Sequence, residues 1–432
     1  MTSHYINHFY SRNSRNIAPI SPFREILAVC NYLLLCTQKT GEIKLTLDKQ
    51  RTFQYIKIEN AGRRYFCLQQ NLATLVWILV FAKNPLRPIN RIGSEKKSPR
   101  LIIRWLWNTY RLFKRNFIIY VTFISYKYKF QKIGSVAELP FYGQICVFVH
   151  QGYKIFDIRR GVVTKVFDHG ANSSHILREV EQLKLTSQIG FAPSLKRCNI
   201  EERWYEEEYV SGSLDDPHKP LDSEVVLKKF CHDLAQYINH LILFQQPLKK
   251  EVGEYVGEIV EGSKSFKHEL TDKEFGIVKK YLDAMVKCLS VEGDLQIYLV
   301  FTHGDFCPAN MLTTRHGLKI VDWEGAMYRS TLFDFYSYFF YRAVVKDVPV
   351  DTIASEICEA LPIFVSRLAV KAPDISNSLL QSEKVYRWLY YIERVSMLVE
   401  RKSTDKNLDI MKFISRYIEV FNGYEELLAC NE

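Results

Sequence analysis

The chain has 432 residues, 47% hydrophobic, 25% charged and 14% aromatic, with 19 Gly and 14 Pro. This composition excludes a collagen-like, mucin-like or wholly disordered chain, argues against long flexible linkers, and supplies ring area for several cores. The net charge of +10 is uneven: residues 1–150 hold 23 Lys+Arg against 6 Asp+Glu, and the remainder is mildly acidic, so the first part is expected to meet an anionic partner.

The first 25 residues lack the apolar core of a signal peptide. Ten scattered cysteines, with no Cys-x-x-Cys and no zinc spacing, read as reduced thiols of a cytoplasmic protein. Tyr65 to Ala82 is free of charge but interrupted by Gln69, Gln70 and Asn71. Its strongly apolar part falls short of the ~20 residues a membrane span needs, so it reads as a buried helix or strand. In the stretch 99–130, Arg100, Arg104, Arg111 and Arg115 fall within a wedge of about 60° on a helix, beside Trp105 and Phe113. Such a stripe suits an anionic membrane surface, which would place the protein at the inner face of the membrane; the plainer reading is the solvated face of a packed helix. No nucleic-acid motif accompanies it, so nucleic acid is not an expected partner.

A shift of pattern near 135–142 divides the chain into a basic, aromatic-rich region 1–140, whose fold the sequence does not give, and two later parts, 141–212 and 213–432. Cys146–Phe167 shows β-branched and aromatic runs broken at Gln151-Gly152 and Arg160-Gly161, the pattern of a three-strand meander. A helix follows, with Ser173 or Ser174 as N-cap, an apolar stripe of Ile176, Val180 and Leu183, and Gly190 after its end. Arg203–Leu214 reads as a strand running into a loop. Val226–Phe244, 272–290 and 350–425 are helical by period. The fold class is therefore α+β: a small antiparallel sheet with one helix, then a mainly helical lobe carrying a short hairpin.

The hairpin carries the chemistry. In HGDFCPANML, Asp305 and Asn310 are five apart, and Asp322 ends the apolar run LKIVD. The runs NML and LKIV flank the turn TTRHG, which brings Asn310 and Asp322 to the open end of the hairpin, with Asp305 on the loop that feeds it. Three oxygen-donor side chains then converge. Asp305 can accept a hydroxyl proton, and Asn310 and Asp322 can hold Mg²⁺ against phosphate oxygens. The spacing is that of the catalytic and metal loops of protein kinases.

The stretch 303–336, HGDFCPANML…VDWEGA…FDFY, resembles the aminoglycoside phosphotransferase and choline kinase-like family. The resemblance covers about 145–420 and implies a two-lobe protein-kinase-like fold that phosphorylates small-molecule hydroxyls. It implies Asp305 as catalytic base, Asn310 and Asp322 as metal ligands, and Asp334 as support for the catalytic loop, with His303 orienting that loop. Lys165, in the third run of the meander, matches the family's phosphate lysine. Glu179, at the edge of the buried helical stripe, matches its acidic partner. Gly152 stands where the phosphate-covering turn belongs, although no G-x-G-x-x-G is present, and Glu208 to Val210 stand at the hinge, where backbone groups would meet a purine. Of two readings of Glu324, approach to a second metal or the cap of a strand, the plainer cap is preferred, and Cys307 reads as a packing residue. The expected activity is an ATP- and Mg²⁺-dependent phosphotransferase acting on a hydroxyl of a small molecule or sugar, such as a cell-envelope glycolipid or polysaccharide sugar. The alternative is a membrane-associated binding module with a degenerate kinase fold.

Overall fold

The computed structural model describes residues 52–58, 64–81, 101–128, 136–149, 151–214, 221, 224–264, 270–404 and 410–430. The first lobe is built in chain order from β1 (Phe53–Lys57), β2 (Arg64–Cys67), α1 (Leu72–Phe81), α2 (Leu101–Lys127), β3 (Val136–Leu139), β4 (Ile145–Val149), β5 (Gly152–Asp157), β6 (Val162–Phe167), α3 (Ser173–Thr186), β7 (Leu195–Asn199) and β8 (Trp204–Glu208). All eight strands form one antiparallel sheet in the order β3-β1-β2-β4-β5-β6-β8-β7. The expected meander is β4–β6. The sheet does not stop at the boundary read near 140, because β1, β2 and β3 extend it beyond β4.

Period-two alternation fixes which face each residue takes. Ile56, Phe66 and Ile145 lie under α1 and α2, against Leu72, Leu75, Ile78, Ile119 and Phe123. Their neighbours Tyr55, Cys67 and Cys146 pack on the opposite face with Ile155 and Val166. The uncharged stretch from Tyr65 thus splits into a strand and a ten-residue helix. Asn71 caps that helix, its side chain accepting from Thr74 N–H at 2.7 Å. No helix among the described residues is long and apolar enough to cross a membrane. Of the arginine stripe, Arg100 lies outside the described residues, as do the side chains of Arg104 and Arg111. Arg115 is half-buried, and Asn116 beside it donates to Leu79 O at 2.8 Å.

α3 begins one residue earlier than the sequence suggests. Asn172, not Ser173 or Ser174, is its N-cap, accepting from Ser174 N–H at 3.0 Å. Its stripe of Ile176, Val180 and Leu183 packs on Phe167 and Tyr205.

The second lobe follows β9 (Ser213–Leu214). Its helices are α4 (Glu224–Phe244), α5 (Val252–Lys264), α6 (Asp272–Leu289), α7 (Phe333–Lys346), α8 (Val350–Ala369), α9 (Pro373–Thr404, kinked at Ser382) and α10 (Ile410–Ala429). They enclose a three-stranded sheet of β10 (Leu248–Glu251), β11 (Gln296–Thr302) and β14 (Met327–Ser330), and a second of β12 (Met311–Thr314), β13 (Gly317–Ile320) and β9. β12 and β13 are the expected hairpin, closed at Thr314↔Gly317. One continuous core fills this lobe. Phe340 at its centre meets the rings of Tyr336, Tyr390, Tyr391, Phe421 and Tyr424.

Candidate active site

The catalytic loop leaves β11 at Thr302, and backbone hydrogen bonds to buried groups set its shape. Asp334, at the start of α7 and fully buried, accepts from His303 N–H at 2.8 Å, Gly304 N–H at 3.1 Å and Tyr237 Oη–H at 3.1 Å. Burial raises its pKa, and the donors facing it oppose that shift. The His303 ring stands edge-on to Trp323 and is held at both nitrogens: Nε2 lies 2.9 Å from Val321 O, and Nδ1 accepts from Asp305 N–H at 3.2 Å. That pairing fixes the neutral tautomer with the proton on Nε2. Gly304 has φ +85°, and a Cβ there would meet Gly325 O at 2.2 Å, so no side chain fits between His303 and Asp305.

The loop brings Asp305 and Asn310 together, and a backbone bond from just past β13 sets Asn310 beside the residue that precedes Asp322. Asn310 Nδ2 donates to Asp305 O at 2.9 Å, and Val321 N–H, next to Asp322, donates to Asn310 O at 2.9 Å. With its amide nitrogen engaged, Asn310 has Oδ1 left as the atom that could hold a metal. Asp322 sits in the left-handed region at φ 71°, and its carboxylate is 39% exposed. Lys154 lowers its pKa well below the usual range, so it is ionised. A carboxylate and an amide oxygen, one of them already attracting a cation, fit a hard divalent ion such as Mg²⁺. Among the described residues, no cluster of three or more His, Cys, Asp or Glu is arranged to hold a metal.

The sheet lobe brings the opposite charges. Every residue of β6 is buried, and Lys165 emerges from it with 2% exposure. Its Nζ donates to Glu179 Oε1 at 2.6 Å and Oε2 at 2.8 Å, and Tyr205 Oη–H steadies Glu179 at 2.7 Å. The structure therefore joins the expected lysine and glutamate. It also corrects Glu324, read as a strand cap: it lies in a short helical turn and accepts from Lys165 at 3.0 Å, spanning the two lobes. Gly152 opens β5 where it was expected. A Cβ there would strike Val166 O at 2.0 Å, so the neighbouring strand already requires glycine. At the hinge, the N–H groups of Glu208 and Tyr209 donate to Ser194 O and Gly161 O, and the Glu208 carboxylate accepts from Ser194 Oγ. This leaves the Glu208 side chain turned to Ser194, and the Val210 N–H is not engaged in that way.

Sequence reasoning missed two basic side chains. Lys154 on β5 stands opposite Lys165 and reaches Asp322 Oδ1 at 3.0 Å. Its signal was the register: once the β5–β6 turn closes at Asp157↔Val162, counting back pairs Lys154 with Lys165. Arg394 on α9 is buried, donates to Tyr417 Oη at 2.9 Å and approaches Asp305 Oδ1 at 3.6 Å. It lies ~90 residues along the chain from the loop it touches, and no local pattern marks it. Cys307 is buried, which pushes its thiol pKa up, and it packs as expected.

Residues 160–357 match the profile of the phosphotransferase enzyme family, and that segment contains Lys165, Glu179, Asp305, Asn310, Asp322 and Asp334. The resemblance read from the catalytic stretch agrees with this match, which supports a phosphotransferase. None of the curated proteins matches the sequence significantly. Solved structures of similar fold include a choline kinase from Cryptosporidium parvum, at 13% identity and TM-score 0.47 over 66% of this chain and 90% of that one. Choline kinase LicA from Streptococcus pneumoniae is similar at 16% identity and TM-score 0.44, over 64% and 90%. A glucosamine kinase in complex with glucosamine, ADP and inorganic phosphate is similar at 14% identity and TM-score 0.42, over 67% and 77%.

Proposed function

We propose that the protein transfers the γ-phosphoryl group of ATP to a hydroxyl of a small molecule or sugar, with Mg²⁺ held by Asn310 and Asp322. The observation that carries this reading is the meeting of the two lobes: Asp305, Asn310 and Asp322 on one side, and Lys165 locked to Glu179 and Glu324 on the other. Asp305 would take the proton of the attacking hydroxyl. The metal would neutralise charge on the phosphates, and Lys165 would hold them. The remaining work is positioning, which the buried Asp334 network supplies through the loop backbone.

The acceptor follows from less. The basic balance of residues 1–150 supports an anionic or membrane-adjacent acceptor such as an envelope glycolipid sugar. The test is transfer of label from γ-labelled ATP, with Mg²⁺, to a panel holding choline, ethanolamine, glucosamine and envelope sugars. Transfer to one member, abolished in Asp305→Asn, is expected. ATP binding without transfer to any hydroxyl, including water, would favour the binding-module alternative.

A further inference from the structure

Lys154 is absent from the catalytic pattern and precedes the family-matched segment 160–357. Yet the register sets Arg64, Val147, Lys154, Lys165 and Tyr205 in one cross-strand row on the face that looks toward Asp322. Two lysines directly opposite each other on adjacent strands repel. The arrangement stands because each has its own carboxylates: Lys165 takes Glu179 and Glu324, and Lys154 takes Asp322. The Lys154 side chain is only 15% exposed. A residue expected to ligate metal therefore already holds a cation at 3.0 Å.

The two lysines differ in freedom. Lys165 is gripped at three oxygens from two residues, whereas Lys154 makes a single short contact, to Asp322 Oδ1. A lysine on a flexible four-carbon stem can change partners without moving its strand. If Asp322 were taken by another cation, an ammonium this buried would need a new anion, and nucleotide phosphates would supply one beside Lys165. A metal ion alone would not.

We propose that Lys154 is a second phosphate-binding lysine that exchanges partners: it neutralises Asp322 in the nucleotide-free protein and turns to the phosphates when a divalent cation arrives with the nucleotide. The proposal rests on the phosphotransferase reading. It is tested on the full chain with Mn²⁺ as the metal probe, followed by the resonance of the free ion, and ADP followed by calorimetry. Without nucleotide, Lys154→Met should bind Mn²⁺ about tenfold more tightly than wild type, because a competing cation is gone. With Mn²⁺ saturating, it should bind ADP about tenfold more weakly, because a phosphate partner is gone. Unchanged or weaker Mn²⁺ binding, or unchanged ADP binding, overturns the assignment. Wild type that binds no Mn²⁺ with ADP overturns the phosphotransferase reading as well; wild type that binds both, beside an indifferent variant, overturns the lysine alone. Should Lys154→Met not fold, Lys154→Arg replaces it. Its forked guanidinium would grip Asp322 with two donors and weaken Mn²⁺ binding below wild type; equal or tighter binding overturns the proposal.

Discussion

In the helical lobe, Asp305 and Asn310 hang from a loop whose backbone N–H groups end on the buried Asp334, and Asp334 stands at the head of a helix sunk in one continuous aromatic core. In the sheet lobe, the apolar packing is divided among three small clusters, and the side chains that face the cleft are fixed by charge: Lys165 by Glu179 and Glu324, Lys154 by Asp322. One lobe offers geometry set by packing and buried hydrogen bonds. The other offers a charge pattern whose members can trade partners. Phosphoryl transfer needs both, a fixed base for the hydroxyl and a field that accepts a metal and several phosphate charges. Both lysines already have carboxylate partners in Glu179, Glu324 and Asp322, so a divalent cation arriving with the nucleotide suits this face better than an anion alone.

The comparison can be broken from either side. The largest effect is expected at Asp305, the proposed base: Asp305→Ala should lower turnover by about 10²–10⁴-fold, with nucleotide binding retained. Loss of nucleotide binding alongside turnover would remove Asp305 from the base role. Next comes the core behind it. Phe340→Ala should cost about 3–5 kcal/mol in denaturant unfolding, since the side chain is fully buried among five rings. A cost under ~1 kcal/mol would mean that the aromatic core does not carry the lobe.

In the sheet lobe, Glu179→Gln leaves Lys165 with Glu324 as its remaining ionic partner. Removing one member of a buried pair typically costs about 3–5 kcal/mol, and the surviving pair should hold the loss to the lower end. The same cost in a Glu324→Gln background would show that Glu324 gives no such support. The smallest effect lies at the outer edge of the sheet. Arg197 donates to Glu206 at 2.6 and 2.7 Å and holds that carboxyl below the usual glutamate range. A folded pKa that is depressed gives stability above the unfolded value and loses it as pH falls through the folded one. The acid limb of the melting curve should therefore be shallower in Glu206→Gln, by under about 1 kcal/mol, because Arg197 is half exposed. An unchanged acid limb would mean the pair is not coupled to folding.

How far the sequence could be read follows the same division. The meander, α3 and the hairpin were legible because each rests on local periodicity or on short fixed spacing within one segment; of the candidate site, Asp305, Asn310 and Asp322 came from spacing around that hairpin, and Lys165, Glu179 and Asp334 from the family resemblance. The strands β1, β2 and β3 were not. They are four or five residues long, and β1 pairs with β3 at Phe53↔Leu139, so only tertiary pairing reveals them. The boundary read near 140 reflects a real change in charge but not in the sheet, which draws strands from both sides of it. Asn172 displaced the serines as helix cap because its side chain reaches Ser174 N–H from one position further out. Glu324 was read as a cap because nothing local shows that its turn faces the other lobe.

The most direct test of a metal–nucleotide site at Asp322 is the melting temperature with ATP, with and without Mg²⁺, for wild type and Asp322→Ala. A rise that requires Mg²⁺ in the wild type and disappears in the variant is the expected result. No rise in the wild type, or an equal Mg²⁺-dependent rise in Asp322→Ala, would contradict it.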